Sequence, residues 1–192
     1  MKNVLEFLEN SAKKRPEAVA CGDEKEELSY ARLLAASQKA GAFLAGYTAP
    51  RKPVALYLEK SVPALIGFFG IVYAGGFYSV LDPSQPKART SKILATLEPA
   101  VVLTDEENKA KLVTILEEMQ AAYPDFNCPT LFALEQLPGI KERQHEALSA
   151  LKKQGVEDLA LTEKEENMLA GIREQAMDVD PLYVNFTSGS TG

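Results

Sequence analysis

Residues 61–81 read SVPALIGFFGIVYAGGFYSVL, and none of them is charged. Two folds compete for this stretch. As one element it could cross a bilayer, which takes about 20 apolar residues. As two elements it is a buried helix followed by a buried strand. The punctuation decides: Pro63 suits the first turn of a helix, and the Gly75-Gly76 pair is a poor place to continue a helix and a good place to turn. The stretch therefore predicts a helix over 62–74 and a strand over 77–81, both inside a core, with no membrane span.

The same alternation extends in both directions. Upstream, PVALYL (53–58) is a compact apolar run bounded by charges, which suits a central strand. Before it, Leu33, Leu34, Ala40 and Leu44 form a helical stripe that Ser29 can cap and Gly46 can end in a left-handed turn. VAC (19–21) and EELS (26–29) read as short strands around Gly22-Asp23, and Val4, Leu5, Leu8 and Ala12 as one face of a first helix capped by Asn3. Downstream, Asp82-Pro83 breaks the chain and a helix carrying Ile93, Leu94 and Leu97 follows. Strand AVVLT (100–104), a helix with Leu112, Ile115, Leu116 and Met119, and strand TLFAL (130–134) complete the series. Strand and helix in repeated alternation predict an α/β fold, layered α/β/α, with a largely parallel sheet.

Residues 138–178 break the pattern with dense mixed charge (KERQHEALSALKKQ, TEKEENMLAGIREQ). They predict one or two solvated helices laid over the sheet.

Composition narrows the class. With 192 residues, 46% apolar and 25% charged, the chain suits one soluble domain. A net charge of -6 argues against a nucleic-acid partner. Cys21 and Cys128 are isolated, and the one histidine, His145, sits among charges, so no metal site of Cys and His ligands is expected. Two reduced thiols fit a cytoplasmic protein.

The last ten residues are YVNFTSGSTG (183–192). LYVNF (182–186) reads as a strand, and the loop after it holds only hydroxyls and glycines. Glycines let successive N–H groups curl inward around an anion, hydroxyls add rotatable donors, and a preceding strand would fix the loop at the carboxyl edge of the sheet. No lysine follows as in the common nucleotide-hydrolase loop. On composition alone, such a tail is more often a flexible linker than an anion site.

Three segments in one order change that balance: ELSYARLL (27–34), YAGGFYSVLDPSQP (73–86) and TSGSTG (187–192). Together they resemble the adenylate-forming (AMP-binding) superfamily, which includes acyl-CoA synthetases, peptide-synthetase adenylation domains, D-alanine–carrier ligases and luciferases. The resemblance covers essentially the whole chain as the N-terminal portion of an adenylation domain (1–192) and looks most like amino-acid-activating, carrier-loading members.

The resemblance implies an AMP-forming acid–thiol ligase. A small carboxylate or amino acid attacks the α-phosphorus of ATP, bound with Mg²⁺, and the acyl group then passes to the pantetheine thiol of a carrier protein or CoA. It implies phosphate contacts for Thr187, Ser188, Ser190 and Thr191, with Gly189 and Gly192 permitting the curl. It leaves scaffold roles for 28–30 and 75–83, and no catalytic residue or metal ligand is assigned within these residues. The family's lysine after the loop, its adenine and acyl pockets and its small C-terminal domain are not matched here. That implies a truncated portion, inactive by itself. The alternative is a non-catalytic α/β module that binds a nucleotide or a partner through an exposed sheet edge.

Overall fold

The computed structural model describes residues 3–24, 26–140 and 159–187. Five of the six loop residues singled out above, Ser188 to Gly192, and His145 lie outside the described residues.

The uncharged stretch divides as its glycines demand. Helix α3 (Val62–Tyr73) is capped by Ser61, whose Oγ accepts the Ala64 amide at 3.2 Å, and Pro63 occupies its first turn. Gly75 then takes φ +79, a conformation that favours glycine. Strand β4 (Phe77–Leu81) follows. Among the described residues no helix is long and apolar enough to cross a membrane.

Before this unit come α1 (Leu5–Lys14), a hairpin of β1 (Val19–Gly22) and β2 (Glu27–Ser29), α2 (Tyr30–Leu44) and β3 (Pro53–Tyr57). Asn3 Oδ1 accepts the Leu5 amide at 3.0 Å and Ser29 Oγ the Arg32 amide at 3.3 Å, so both expected caps form. Gly46 is a correction. Among the described residues the left-handed glycines are Gly75 and Gly139, and α2 instead unwinds through tightened turns in which Gly46 N–H reaches Phe43 O and Tyr47 N–H reaches Leu44 O. After β4 come α4 (Lys87–Leu97), β5 (Val101–Thr104), α5 (Glu106–Ala122), β6 (Thr130–Ala133) and, beyond the undescribed segment, α6 (Glu163–Gln175).

The main sheet is parallel throughout, in the order β4-β3-β5-β6. Successive residues point to opposite faces. Val54 and Leu56 join the core beneath α2 and α3, whereas Ala55 and Tyr57 join the core beneath α4 and α5. Both faces are covered, which is why the central strands read as unbroken apolar runs. Small residues let α2 and α3 approach closely. A Cβ at Gly41 would lie 2.4 Å from Cβ of Tyr73, and one at Gly70 would lie 2.9 Å from Cβ of Ala40.

Where it is described, the charge-dense stretch forms a largely solvated helix, as expected, but it lies on other helices and not on the sheet. Helix α6 packs on α2 and α3, outside the helical layer, and buries Leu169. Two of its charged residues reach protein partners, while Glu163, Lys164, Glu166 and Glu174 are exposed. Lys39 Nζ meets Glu165 Oε2 at 2.9 Å, and Arg173 Nη2 lies 3.5 Å from Glu6 and 3.6 Å from Glu9. Arg51 continues the clamp beyond the helix, bonding Gln175 O at 2.9 Å and Asp180 Oδ1 at 2.7 Å.

Candidate functional site

Chain connections locate the functional edge. From β3 the chain crosses through α3 to β4 on one side, and from β4 it crosses through α4 to β5 on the other side of β3. The sequence of strands therefore changes direction between β3 and β5, and the carboxyl ends of those strands flank a topological switch point, where open α/β sheets receive ligands. Here those ends are Tyr57 and Thr104. Thr104 Oγ1 donates to Tyr57 O at 2.8 Å, tying the two ends together inside the protein.

Tyr57 itself is fully buried, and its phenol has no hydrogen-bond partner among the described residues. Burial pushes its pKa above the ordinary tyrosine value, Asp82 and Asp105 add to the rise, and Lys87 opposes it. The phenol stays a neutral O–H at this edge. Asp82 and Asp105 are themselves committed to local structure. Asp82 Oδ1 accepts the Ser84 amide at 2.8 Å, and bonds from Ser84 hold its carboxyl below the usual value. Asp105 caps α5 through the Asn108 amide at 2.6 Å, and Lys111 Nζ donates to Pro83 O.

The segment leading to the hydroxyl–glycine loop reaches this edge along β4. Tyr183 makes a parallel bridge to Tyr78, with Tyr78 N–H to Leu182 O at 3.2 Å and Val184 N–H to Tyr78 O at 2.9 Å. The Tyr78 ring stacks on Phe68 at 4.8 Å and on Tyr183 at 6.1 Å. LYVNF is thus a correction in part, because pairing is confined to this bridge and no full strand forms. Past Val184 the chain is held by side chains instead. Phe186 packs against the cluster that contains Tyr57, Leu81, Ile93 and Leu94, and its carbonyl accepts from Arg89 Nη2 at 2.8 Å. Thr187, the one described residue of the predicted phosphate loop, follows directly.

Arg89 is a basic group beside this segment that local sequence does not announce: it comes from the first turn of α4, 97 positions from Phe186. A signal was available: α4 begins after Asp82-Pro83, so its first turn must stand at the same sheet edge as any loop leaving beside β4.

The other matched segments serve the scaffold. Leu28 is buried, Ser29 caps α2, and Gly75 turns the chain into β4. A cavity of about 660 Å³ lies away from the carboxyl edge, between α1, the end of α3 and α6, lined by residues such as Leu5, Val72, Tyr73, Leu169 and Ile172.

The chain resembles known proteins in sequence and in fold. A family model described as AMP-binding enzyme matches residues 8–192. The chain is 28% identical over 194 aligned residues to a dimodular nonribosomal peptide synthase of Bacillus subtilis (strain 168), covering 97% of the chain and 7% of that protein. It is 27% identical over 132 residues to the D-alanine–D-alanyl carrier protein ligase of Staphylococcus haemolyticus (strain JCSC1435), covering 69% of the chain and 27% of the ligase. Its fold is similar to that of the nonribosomal peptide synthetase FmoA3 (S1046A), with a TM-score of 0.63 at 20% identity, over 95% of this chain and 16% of that one. The chain thus spans a small part of the length of the relatives it matches.

Proposed function

The chain belongs to the AMP-binding enzyme family, and from that premise we propose that residues 1–192 supply the N-terminal, phosphate-handling part of an ATP-dependent carboxylate-activating ligase. What supports this reading is that the described chain runs beside β4 to Phe186 and Thr187, with Arg89 on the carbonyl just before Thr187. In the reaction, a carboxylate oxygen forms a bond to the α-phosphorus of ATP while the bond to the β-phosphate breaks, releasing pyrophosphate. A pantetheine thiol, having lost its proton, then attacks the acyl carbon and AMP leaves. The relatives' names point to an amino acid as the acyl group and a carrier protein as the acceptor.

Within that reaction the work of these residues is electrostatic. Thr187, Ser188, Ser190 and Thr191 donate to the β- and γ-phosphates, and Gly189 and Gly192 allow the backbone to curl around them. The donor set fits the group, since a triphosphate needs N–H and O–H donors, and the half-buried Arg89 places a cation beside Phe186, just before the loop. Mg²⁺ brought with ATP would neutralise part of the phosphate charge, and no residue of this chain is assigned to hold it. Charge neutralisation of the leaving pyrophosphate is one part of the catalysis; positioning of the carboxylate and of adenine falls to residues outside this chain.

Titration of the chain with ATP tests the reading. Saturable binding that is lost when Thr187, Ser188, Ser190 and Thr191 are together replaced by alanine is the outcome it requires. Equal binding by that variant would end it. Exchange of label between pyrophosphate and ATP is expected to stay at background with the chain by itself, and clear exchange with any carboxylate would refute the assignment of the remaining steps elsewhere.

A further inference from the structure

One residue is fixed to two parts of the chain that later run side by side. Arg51 precedes β3, and its N–H donates to Gly75 O at 2.8 Å, in the turn that leads into β4. Its side chain reaches elsewhere. Nε donates to Asp180 Oδ1 at 2.7 Å and Nη2 to Gln175 O at 2.9 Å, so the guanidinium spans the turn between the end of α6 and Asp180. The other Asp180 oxygen, Oδ2, accepts the Met177 amide at 2.8 Å. Two residues further on, Leu182 O accepts the Tyr78 amide at 3.2 Å, and pairing with β4 begins. Arg51 holds this position at φ 62, a left-handed conformation that residues other than glycine seldom adopt.

The link from Asp180 to Leu182 is short and stiff. Pro181 fixes its own φ and biases Asp180 toward extended backbone, so little slack separates the gripped carboxylate from the first paired residue. With 43% of the Arg51 side chain accessible, the ion pair adds little stability by itself. What it can decide is alignment, because a slip of one residue in an extended segment exchanges its faces. In the observed register Leu182 packs against the cluster of Leu5, Val72 and Leu169, Phe186 packs against that of Tyr57 and Leu81, and Tyr183 is exposed. A slip of one would put Tyr183 and Thr187 in the places of Leu182 and Phe186.

We infer that Arg51 is a positioning residue that sets the register of segment 180–186 against β4. Its main chain is fixed to the turn entering β4, its side chain to the residue from which the segment departs, and the offset between the two follows from that one residue. Arginine suits the task because its planar fork presents donors in fixed directions, so a bond to Gln175 O with one arm also aims the other at Asp180. The inference does not depend on which ligand the carboxyl edge receives.

The experiment uses the 192-residue chain as wild type, Arg51→Gly, Arg51→Lys and Lys39→Ala. Glycine tolerates the left-handed backbone, so Arg51→Gly removes the guanidinium without straining the turn. Lys39→Ala cuts a different tie, the 2.9 Å pair with Glu165 near the start of α6. Amide hydrogen exchange resolved by residue reads the register. In the observed pairing the Val184 N–H is bonded to Tyr78 O at 2.9 Å, and the Tyr183 N–H points away from β4. Wild type should therefore protect Val184 more than Tyr183. In Arg51→Gly, Val184 is expected to exchange about tenfold faster and to lose its excess over Tyr183, with β3 and β5 unchanged. Arg51→Lys should be intermediate, since an ammonium keeps the charge without the fork. Lys39→Ala should loosen the first turn of α6 and leave Val184 as in wild type. Four results would each overturn the inference: unchanged Val184 protection in Arg51→Gly, equal protection of Val184 and Tyr183 in wild type, the same loss at Val184 in Lys39→Ala, or acceleration spread equally over β3 and β5.

Discussion

Thr104 Oγ1 donates to the carbonyl of Tyr57 at 2.8 Å, joining the ends of two neighbouring strands at the point where the sheet's connections change direction. The bond lies inside the protein and replaces water that a strand end would otherwise recruit. Removing the donor while keeping the shape should expose its worth. Thr104→Val is expected to destabilise the chain by about 1–3 kcal/mol, since a buried acceptor loses its partner. Urea unfolding measures this, and Thr104→Ser should recover most of the loss. A Thr104→Val midpoint equal to wild type would show that the bond contributes nothing.

The neighbouring phenol predicts the opposite sign. Tyr57 is fully buried and its O–H has no partner among the described residues, so the folded state already bears the cost of removing it from water. Tyr57→Phe discards the hydroxyl and keeps the ring. The variant should match or exceed wild type, with a gain of up to about 1 kcal/mol in urea unfolding. Marked destabilisation would mean that the hydroxyl finds an acceptor in solution.

Two glycines on different helices should respond to the same substitution in opposite directions. At Gly41 a Cβ would stand 2.4 Å from Tyr73 Cβ and 3.0 Å from Gly70 O, so Gly41→Ala must push α2 and α3 apart. Overpacking of this kind costs about 1–3 kcal/mol. At Gly171, inside α6, nothing lies within 4 Å of an added Cβ. Gly171→Ala should stabilise by up to about 1 kcal/mol through helix propensity. Thermal unfolding of the two variants checks the contrast, and a loss of stability at Gly171 would contradict the placement of α6.

The sequence was most readable where one face or one turn dominated the outcome. Strand β4 occupies 77–81 as expected, because the Gly75-Gly76 turn and the apolar run after it leave no alternative register. The caps at Ser29 and Ser61 follow from side chains within three residues of the amides they serve. What could not be read depends on contacts far apart in the chain. Arg173 meets Glu6 and Glu9 across most of the sequence, so the largely solvated helix α6 is also tied to α1 by a contact that no local pattern announces. LYVNF has the composition of a strand, yet its pairing with β4 amounts to a bridge at Tyr78, because the Arg89 and Phe186 contacts take over beyond Val184. Neither outcome leaves a trace in local periodicity.

The clamp on α6 and the segment after it predicts how the molecule responds to acid. Glu165 is held below the ordinary glutamate value mainly by the Thr162 amide, with Lys39 contributing, and Asp180 is held below the ordinary aspartate value by the Met177 amide and then by Arg51. Both carboxyls are more acidic folded than unfolded. Their contribution is therefore present above the unfolded values, about pH 4, and is lost as pH falls through the lower folded values. Segment 162–180 should loosen before the parallel sheet does. Hydrogen exchange compared at pH 6 and pH 3 is expected to show acceleration in 162–180 with β3 and β5 still protected. Glu165→Gln with Asp180→Asn should produce that loosened state already at pH 6 and remove most of the pH dependence. Equal acceleration in every segment at pH 3, or a pH response unchanged in the double variant, would show that other groups control the acid transition.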